Sequence, residues 1–485
     1  MNHQPVRIAQ NTTYLIVAYV VQKIMSFLYF ILLARLIGVE NIGKYIFALS
    51  FTTIFGIFID LGLSSVLTRE IAKDQSKATK YLNNIISTKV ILSLLTYLAV
   101  VIGINLINKE LIVRQMVYLA GLIMVFDSFY LSFYALIRAK QNLKYESIGM
   151  MIGQAIIFCS GLLILFLKLP IYYLILAILA GSVFNLFYSY FILRAKFQIK
   201  ISLTFDKQTL SFLFKIAAPF AIAGIFSRVY GYIDTVLLST LAGDKAVGWY
   251  SAGFKITFAL QFIPMAFAAA IFPAMSNYFV TNKELLAKTF ERSIYYLTLI
   301  ALPITFGVVI LAQPIIIKMY GVEFAPTAVA LQILIFGLIF NFVGTPLSSL
   351  LNACNRQITN TINMGITMAV NIALNLTLIP LFGQRAYIGA SIAAIVSALI
   401  MIILGFYYTN QVISYNKKGL LRDLIKIILA TAVMSISIWL LLPAINFILL
   451  VPIGGIIYFI ILYILKGFDQ EEVKKLYYSF VNKEQ

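Results

Sequence analysis

Fourteen runs of mostly apolar residues succeed one another along the chain, at 12–33, 42–66, 85–107, 111–137, 147–167, 171–193, 216–240, 246–276, 293–312, 327–352, 358–380, 386–408, 424–442 and 445–465. A helix crosses the hydrocarbon core of a bilayer with about 20 such residues. Within lipid, only helices and closed barrels satisfy their own backbone hydrogen bonds, and the short alternating segments of a barrel do not occur in this sequence. The spacing therefore predicts an all-α polytopic membrane protein with about 14 transmembrane helices. Composition supports this reading. Of 485 residues, 61% are hydrophobic and 11% charged, and a soluble protein cannot hide that much apolar surface. The first run is too long for a cleavable signal, and no small-residue cleavage site follows it.

The same residues exclude several classes of chemistry. The two cysteines, Cys159 and Cys354, both lie in apolar runs, so no disulfide scaffold is expected. The single histidine, His3, sits in the N-terminal tail, which removes the usual general base and metal ligand. No cofactor or metal is expected. The formal charge of +19 need not signal nucleic acid, because loop lysines and arginines set the topology of a multi-pass chain.

Those bases fall unevenly between alternate loops. Twenty-five lie on the side holding Arg7, Lys80, Lys144, Lys207, Lys417 and Lys483; eight lie opposite, among them Arg35, Lys109, Lys245 and Arg385. The imbalance puts both termini in the cytoplasm, as an even number of crossings requires. Four bases remain within spans: Lys23, Lys89, Arg228 and Lys255.

An internal repeat is visible. Residues 36–45 read LIGVENIGKY and residues 241–250 read LAGDKAVGWY. A shift of 205 places Leu36, Gly38, Gly43 and Tyr45 on Leu241, Gly243, Gly248 and Tyr250, and Lys23 on Arg228. Six helices per unit keep both units in the same orientation. The expected organisation is a six-helix lobe over 1–193, a basic cytoplasmic linker over 194–215, a second six-helix lobe over 216–408, and two extra helices with a cytoplasmic tail over 409–485. Parallel repeats of this kind commonly bind substrate between two halves that rock against each other.

Gly38 to Lys44 also matches the spacing of a phosphate-binding loop. Tyr45 stands where a magnesium-binding Ser or Thr is needed and no strand precedes the segment, so the glycines read as a tight outer turn. The energy for any transport must then come from an ion gradient, the membrane potential or cargo flux. The sequons at Asn11 and Asn375 fall in a tail and a span and carry no expectation of glycosylation.

The run Ala34-Arg35-Leu36-Ile37-Gly38, with Gly43-Lys44-Tyr45, Asp60-Leu61-Gly62-Leu63 and Arg69-Glu70, resembles the polysaccharide transport (oligosaccharide flippase) family. That family belongs to the multidrug/oligosaccharidyl-lipid/polysaccharide exporter superfamily. Asp206-Lys207 before Pro219, and Ile271-Phe272-Pro273, are similar to it as well. The resemblance implies two six-helix bundles around a central cavity working by alternating access. It also implies a cargo of oligosaccharide on a polyprenyl diphosphate, moved outward across the cytoplasmic membrane.

Charges inside a bilayer cost about 2.5–3.5 kcal/mol each on insertion scales, so they face a cavity or a partner. Lys89, near the cytoplasmic end of its span, can snorkel to the surface. Lys23 shares a helix face with Tyr19, Ser26 and Phe30; Arg228 shares one with Gly224, Gly231 and Thr235; Lys255 lies within the eighth run. These three are the candidate cations for an anionic cargo, with internal salt bridges as the competing role. Asp60, Asp127 and Asp234 are the acids within spans. Asp60, beside Gly56 and Ser64, reads as a packing or gating residue. Asp127 and Asp234 either neutralise the bases or bind a coupling ion, a proton or sodium. Tyr19, Tyr130 and Tyr230 are candidates to line a sugar path.

Three functions compete. A flippase for lipid-linked oligosaccharide fits the basic interior, performs no chemistry, and would work beside a polysaccharide polymerase or glycosyltransferases in a prokaryotic inner membrane. A flippase for the peptidoglycan lipid precursor is a close variant of it. A cation-coupled multidrug exporter would favour acidic and aromatic cavities instead, and a membrane glycosyltransferase would need paired acids or histidines on a large polar loop.

Overall fold

The computed structural model describes residues 4–467; His3, Lys474, Lys475 and Lys483 lie outside the described residues. In chain order the helices are α1 (Gln4–Asp60), α2 (Leu63–Lys73), α3 (Ala78–Leu106), α4 (Leu111–Ala139), α5 (Leu143–Phe166), α6 (Tyr173–Phe197), α7 (Lys207–Ala242) and α8 (Asp244–Ala259). They continue as α9 (Phe262–Thr281), α10 (Lys283–Tyr320), α11 (Thr327–Leu334), α12 (Phe336–Ala353), α13 (Gln357–Phe382), α14 (Ala386–Val412), α15 (Lys417–Leu441) and α16 (Phe447–Ile464). No strand occurs among the described residues.

Among the described residues, twelve helical stretches are long and apolar enough to cross a membrane. Two are too long for a single crossing: Thr13–Asp60 has 48 residues and Gln357–Val412 has 56. The first breaks at Gly38 and the second at a 3₁₀ turn, Gly383–Arg385. Divided there, the stretches make about fourteen crossing segments, one on each apolar run of the sequence.

Gly38 has φ 77° and ψ 172°, and Gly243, at the matching place 205 residues on, has φ 90° and ψ 170°. That region of backbone space is essentially closed to residues with a Cβ. The glycines therefore turn one crossing into the next with no loop between them. Gly321, with φ 97° and ψ 173°, makes a third elbow of this kind that the repeat had not marked.

The eighth run divides for another reason. Pro264 has no N–H, and its ring crowds the carbonyl four residues earlier, Leu260. The chain breaks there between α8 and α9, where Leu260 and Gln261 donate to the carbonyls of Thr257 and Phe258, three residues back. Pro273 is accommodated inside α9 without ending it.

The chain forms two compact units, one from Met1–Ala252 and Met364–Ala390, the other from Gly253–Asn363 and Ser391–Gln485. In the first, α1 packs on α4, α5 and α7, while α4 and α5 pack on α6. Its core at one end joins Leu63, Leu67, Leu82, Ile85, Leu136 and Leu213. In the second, α10 packs on α9, α12 and α15, and α15 on α16. Met434, Ile438, Leu450 and Tyr458 fill the seam of the last two helices.

Residues 198–206, between α6 and α7, have no helix of their own. Side chains of α3 hold them instead. Asn83 Oδ1 accepts from the Ser202 amide (3.3 Å), Ser87 Oγ from the Thr204 amide (2.8 Å) and Asn84 Oδ1 from the Asp206 amide (2.6 Å). Lys80 Nζ lies 2.6 Å from Asp206 Oδ2, and Asp206 also caps α7 by accepting from the Gln208 amide. The hydrogen bond from Lys80, with that from Thr209, holds the Asp206 carboxyl down at about 2. A depressed carboxylate contributes above its unfolded value, about 4, and its contribution fades as pH falls through about 2. Asp206→Asn should therefore speed hydrogen exchange of the Ser202 and Thr204 amides at neutral pH, roughly tenfold. Unchanged exchange in that variant would show that the clamp does not depend on the ion pair.

Candidate functional site

The intramembrane charges fall into three groups. The first is enclosed. Helix α1 ends at Asp60, Leu61 and Gly62 take positive φ, and α2 begins at Leu63. The Asp-Leu-Gly-Leu motif is thus a helix break, and a Cβ on Gly62 would press into Phe220 and Ala221 of α7. The break aims Asp60 at α3, where Lys89 Nζ meets Asp60 Oδ1 at 2.5 Å. Lys89 also donates to the Ser128 carbonyl of α4 (3.0 Å) and to Ser64 Oγ (3.2 Å). Ser64 Oγ in turn donates to Asp60. Lys89 has no exposed surface, so it does not snorkel: three oxygens replace the water its ammonium would otherwise seek. The sequence places these partners 29 residues apart and gives no sign that they meet.

The second group centres on Asp127 and Arg228. Asp127 of α4 accepts from Ser182 Oγ of α6 at 2.6 Å. Arg228 of α7 is exposed, and its charge acts on Asp127 from beyond ion-pair distance. Among the described residues neither Asp127 nor Asp234 has a lysine or arginine within 4 Å, and no acid pairs with Arg228. The salt bridges that compete with a cavity role for Arg228 are not formed in this conformation. Lys23, half-buried on α1, belongs to the same unit; Lys255, half-buried on α8, belongs to the other. Tyr19 is exposed on α1, while Tyr130 and Tyr230 are half-buried.

The third group surrounds Asp234, which is 8% exposed. Tyr250 Oη donates to Asp234 Oδ2 (2.8 Å) and Asn375 Nδ2 to Asp234 Oδ1 (2.6 Å). Asn375 also bonds the Asn371 carbonyl at 2.9 Å. Both asparagines are fully buried one turn apart on α13, and Asn371 Nδ2 and Asn375 Oδ1 have no hydrogen-bond partner. Both carboxylate oxygens thus accept hydrogen bonds from neutral donors, which satisfy the buried charge without a basic partner. Asn375 is here a buried partner of Asp234, inaccessible to glycosylation. The i, i+4 asparagines in an apolar run were the signal for this cluster, together with Tyr250, which stands on Tyr45 in the repeat. Among the described residues no group of three or more His, Cys, Asp or Glu could hold a metal.

Comparison with known proteins fixes the family. The model of the polysaccharide biosynthesis protein family matches residues 8–279, more than half of the chain. The chain belongs to this family. The MatE model also matches it, over residues 219–377. The probable low-salt glycan biosynthesis flippase Agl15 of Haloferax volcanii is 24% identical over 84% of each chain. The putative O-antigen transporter of Shigella flexneri is 24% identical over 73% of this chain and 87% of its own. Among solved structures, the lipid II flippase MurJ in an inward closed conformation superposes with a TM-score of 0.75 at 16% identity, covering 92% of this chain and 97% of that one. An inward-facing multidrug MATE transporter superposes at 0.65, also at 16% identity, over 81% and 95%. At such identity the likeness is one of fold, and the fold is that of polytopic membrane transporters.

The enclosed ion pair gives a direct test. Removing one partner of a buried pair typically costs about 3–5 kcal/mol, whereas removing both is often close to neutral. Lys89→Met should sharply lower the melting temperature of the purified protein in detergent, and Lys89→Met with Asp60→Asn should recover most of the loss. Equal melting of the single and double variants would show that the two charges are not coupled.

Proposed function

We propose that this protein is a flippase for lipid-linked oligosaccharide, carrying sugar chains on a polyprenyl diphosphate outward across the cytoplasmic membrane of a prokaryote for cell-surface polysaccharide synthesis. It acts as a transporter and performs no chemistry on its cargo. The observation that carries this reading is Arg228, an exposed guanidinium on a membrane-spanning helix with no acid paired to it in a chain of the polysaccharide biosynthesis family. A diphosphate stripped of water needs cations and hydrogen-bond donors in its place. Arg228 presents paired donors to two phosphate oxygens, while Lys23 acts as a point charge.

In this reading, residues 1–193 and 216–408 are two six-helix lobes related by the repeat, residues 194–215 link them in the cytoplasm, and residues 409–485 add two helices and a tail. The lobes alternate access to a central cavity, and both termini lie in the cytoplasm. Lys23 and Arg228, at matching repeat positions, offer one cation from each lobe. The same fold in a multidrug transporter keeps the exporter reading in view, and a peptidoglycan precursor offers the same diphosphate. The unpaired base favours an anionic cargo over a cationic drug.

Arg228→Ala and Lys23→Ala should each abolish polysaccharide export while the protein stays in the membrane. Arg228→Lys should recover part of the activity and Arg228→Gln none. Normal export from both alanine variants would overturn the cationic-path reading. So would rescue of Arg228→Ala by a second change at Asp127 or Asp234, because that would mark the arginine as a structural counter-ion.

The coupling ion belongs to Asp234 in this proposal. Its carboxylate faces only neutral partners, and the unfilled Asn375 Oδ1 points to a further ligand. A sodium ion or proton suits that set. Asp234→Asn should transport without responding to the gradient of the coupling ion, measured in cells with sodium and proton gradients collapsed in turn. Full gradient dependence in this variant would leave Asp234 a structural residue.

A further inference from the structure

The two repeated elbows touch each other through backbone. A Cβ at Gly43 would overlap the carbonyl of Asp244, and a Cβ at Gly248 would overlap the carbonyl of Val39. The four residues are pairwise equivalent: Val39 shifts onto Asp244 by 205, and Gly43 onto Gly248. Glycine supplies no side chain on its side of either crossing, and the Val39 side chain packs directly on Gly248. Such backbone contacts pack closely yet separate without unthreading.

One ion pair fastens the contact. Lys109, in the turn between α3 and α4, donates to the Ser239 carbonyl (2.7 Å), to Ser239 Oγ (2.7 Å) and to Asp244 Oδ1 (3.0 Å). Its ammonium also sits 4.9 Å from the centre of the Phe47 ring. Ser239 Oγ donates to Asp244 as well. The lysine thus lies at the C-terminal end of α7 and the aspartate opens α8, each at the helix pole that favours its charge. Beside them Lys44 pairs with Glu110 (2.8 Å) and Glu40 (2.9 Å). The side chains of Lys109 and Asp244 are only 12% and 9% exposed.

We propose that the Gly43–Asp244 and Val39–Gly248 backbone crossings, fastened by Lys109, form a latch that shuts the transport path at the outer end and must release for cargo to leave. This rests on the alternating-access reading and adds to it the residues that hold one state closed. Elsewhere the chain buries its intramembrane base, Lys89, within one enclosed group. Here the base lies in a short turn and reaches three acceptors on a neighbouring elbow, an arrangement that one local movement can undo.

The test uses accessibility. In the full-length protein with Cys159→Ala and Cys354→Ala, Val247→Cys supplies a thiol at a position with no exposed surface. A membrane-impermeant maleimide is added to intact cells. Lys109→Gln and Asp244→Asn should each raise the labelling rate about tenfold, as a corresponding shift in the open population would, and Lys109→Arg should keep it slow. Protein in the membrane, quantified after lysis and full labelling, separates release from misfolding. Unchanged labelling in both neutral variants, with normal protein levels, would overturn the latch. So would equally fast labelling of Lys109→Arg. If either neutral variant is missing from the membrane, the charge swap Lys109→Asp with Asp244→Lys stands in, and fast labelling there counts against the latch while partial slowing supports it. Failure of the unaltered chain to restore polysaccharide export in cells lacking a flippase would instead count against the function reading and leave the labelling result standing.

Discussion

Hydrocarbon offers no hydrogen bonds, so each polar atom carried into the membrane must find its partner within the protein. The helices meet this demand for the backbone, and what remains is a short tally of side chains. Lys89, with Asp60, Ser64 and the Ser128 carbonyl, closes completely. It ties the end of α1 to α3 and α4 at the point where the Asp-Leu-Gly motif breaks the chain. The Asp234 group closes only in part, leaving two amide atoms without partners. Arg228 does not close at all within its unit. The three groups therefore differ in how completely the protein replaces the water they give up.

Much of this was legible in the residues. Fourteen apolar runs became about fourteen crossing segments because length and hydropathy alone decide membrane insertion. The shift of 205 found Gly38 and Gly243 in one rare backbone conformation, since only glycine can occupy it. What stayed hidden was pairing. The residues give no distance between Asp60 and Lys89, or between Asp234 and Asn375, which lie 141 positions apart; only the packing of α1, α3, α7 and α13 supplies it. Asn375, whose sequon falls in a span and carries no expectation of glycosylation, shows the same limit. A sequon is a surface signal, and this one is buried. The break before α9 was half visible, because Pro264 marks a disturbed helix but does not say whether it bends or ends.

The fold is shared with lipid and drug transporters alike, so the architecture does not select the cargo. What distinguishes one such chain from another is then the side chains that the fold carries into its helices. Arg228 is exposed on α7, with open space beside Gly231 and close packing of Gly224 on Ile57. Asp234 is buried, and its carboxylate accepts from the neutral donors Tyr250 and Asn375. Both charges sit on α7, at positions six residues apart, so that a movement of that one helix displaces them together.

The contact between the elbows is self-complementary: position 39 of one repeat meets position 43 of the other, and the converse holds as well. Two identical six-helix chains related by a twofold axis normal to the membrane would make the same contact, one copy facing the other. The surface therefore has the form of a dimer interface contained within one chain. Lys109 breaks this symmetry: it lies in the turn joining α3 to α4, and the turn joining α10 to α11, residues 321–326, holds no lysine or arginine. The contact is thus symmetric in its backbone and asymmetric in its charge. The asymmetry makes the two halves unequal partners in any motion they share.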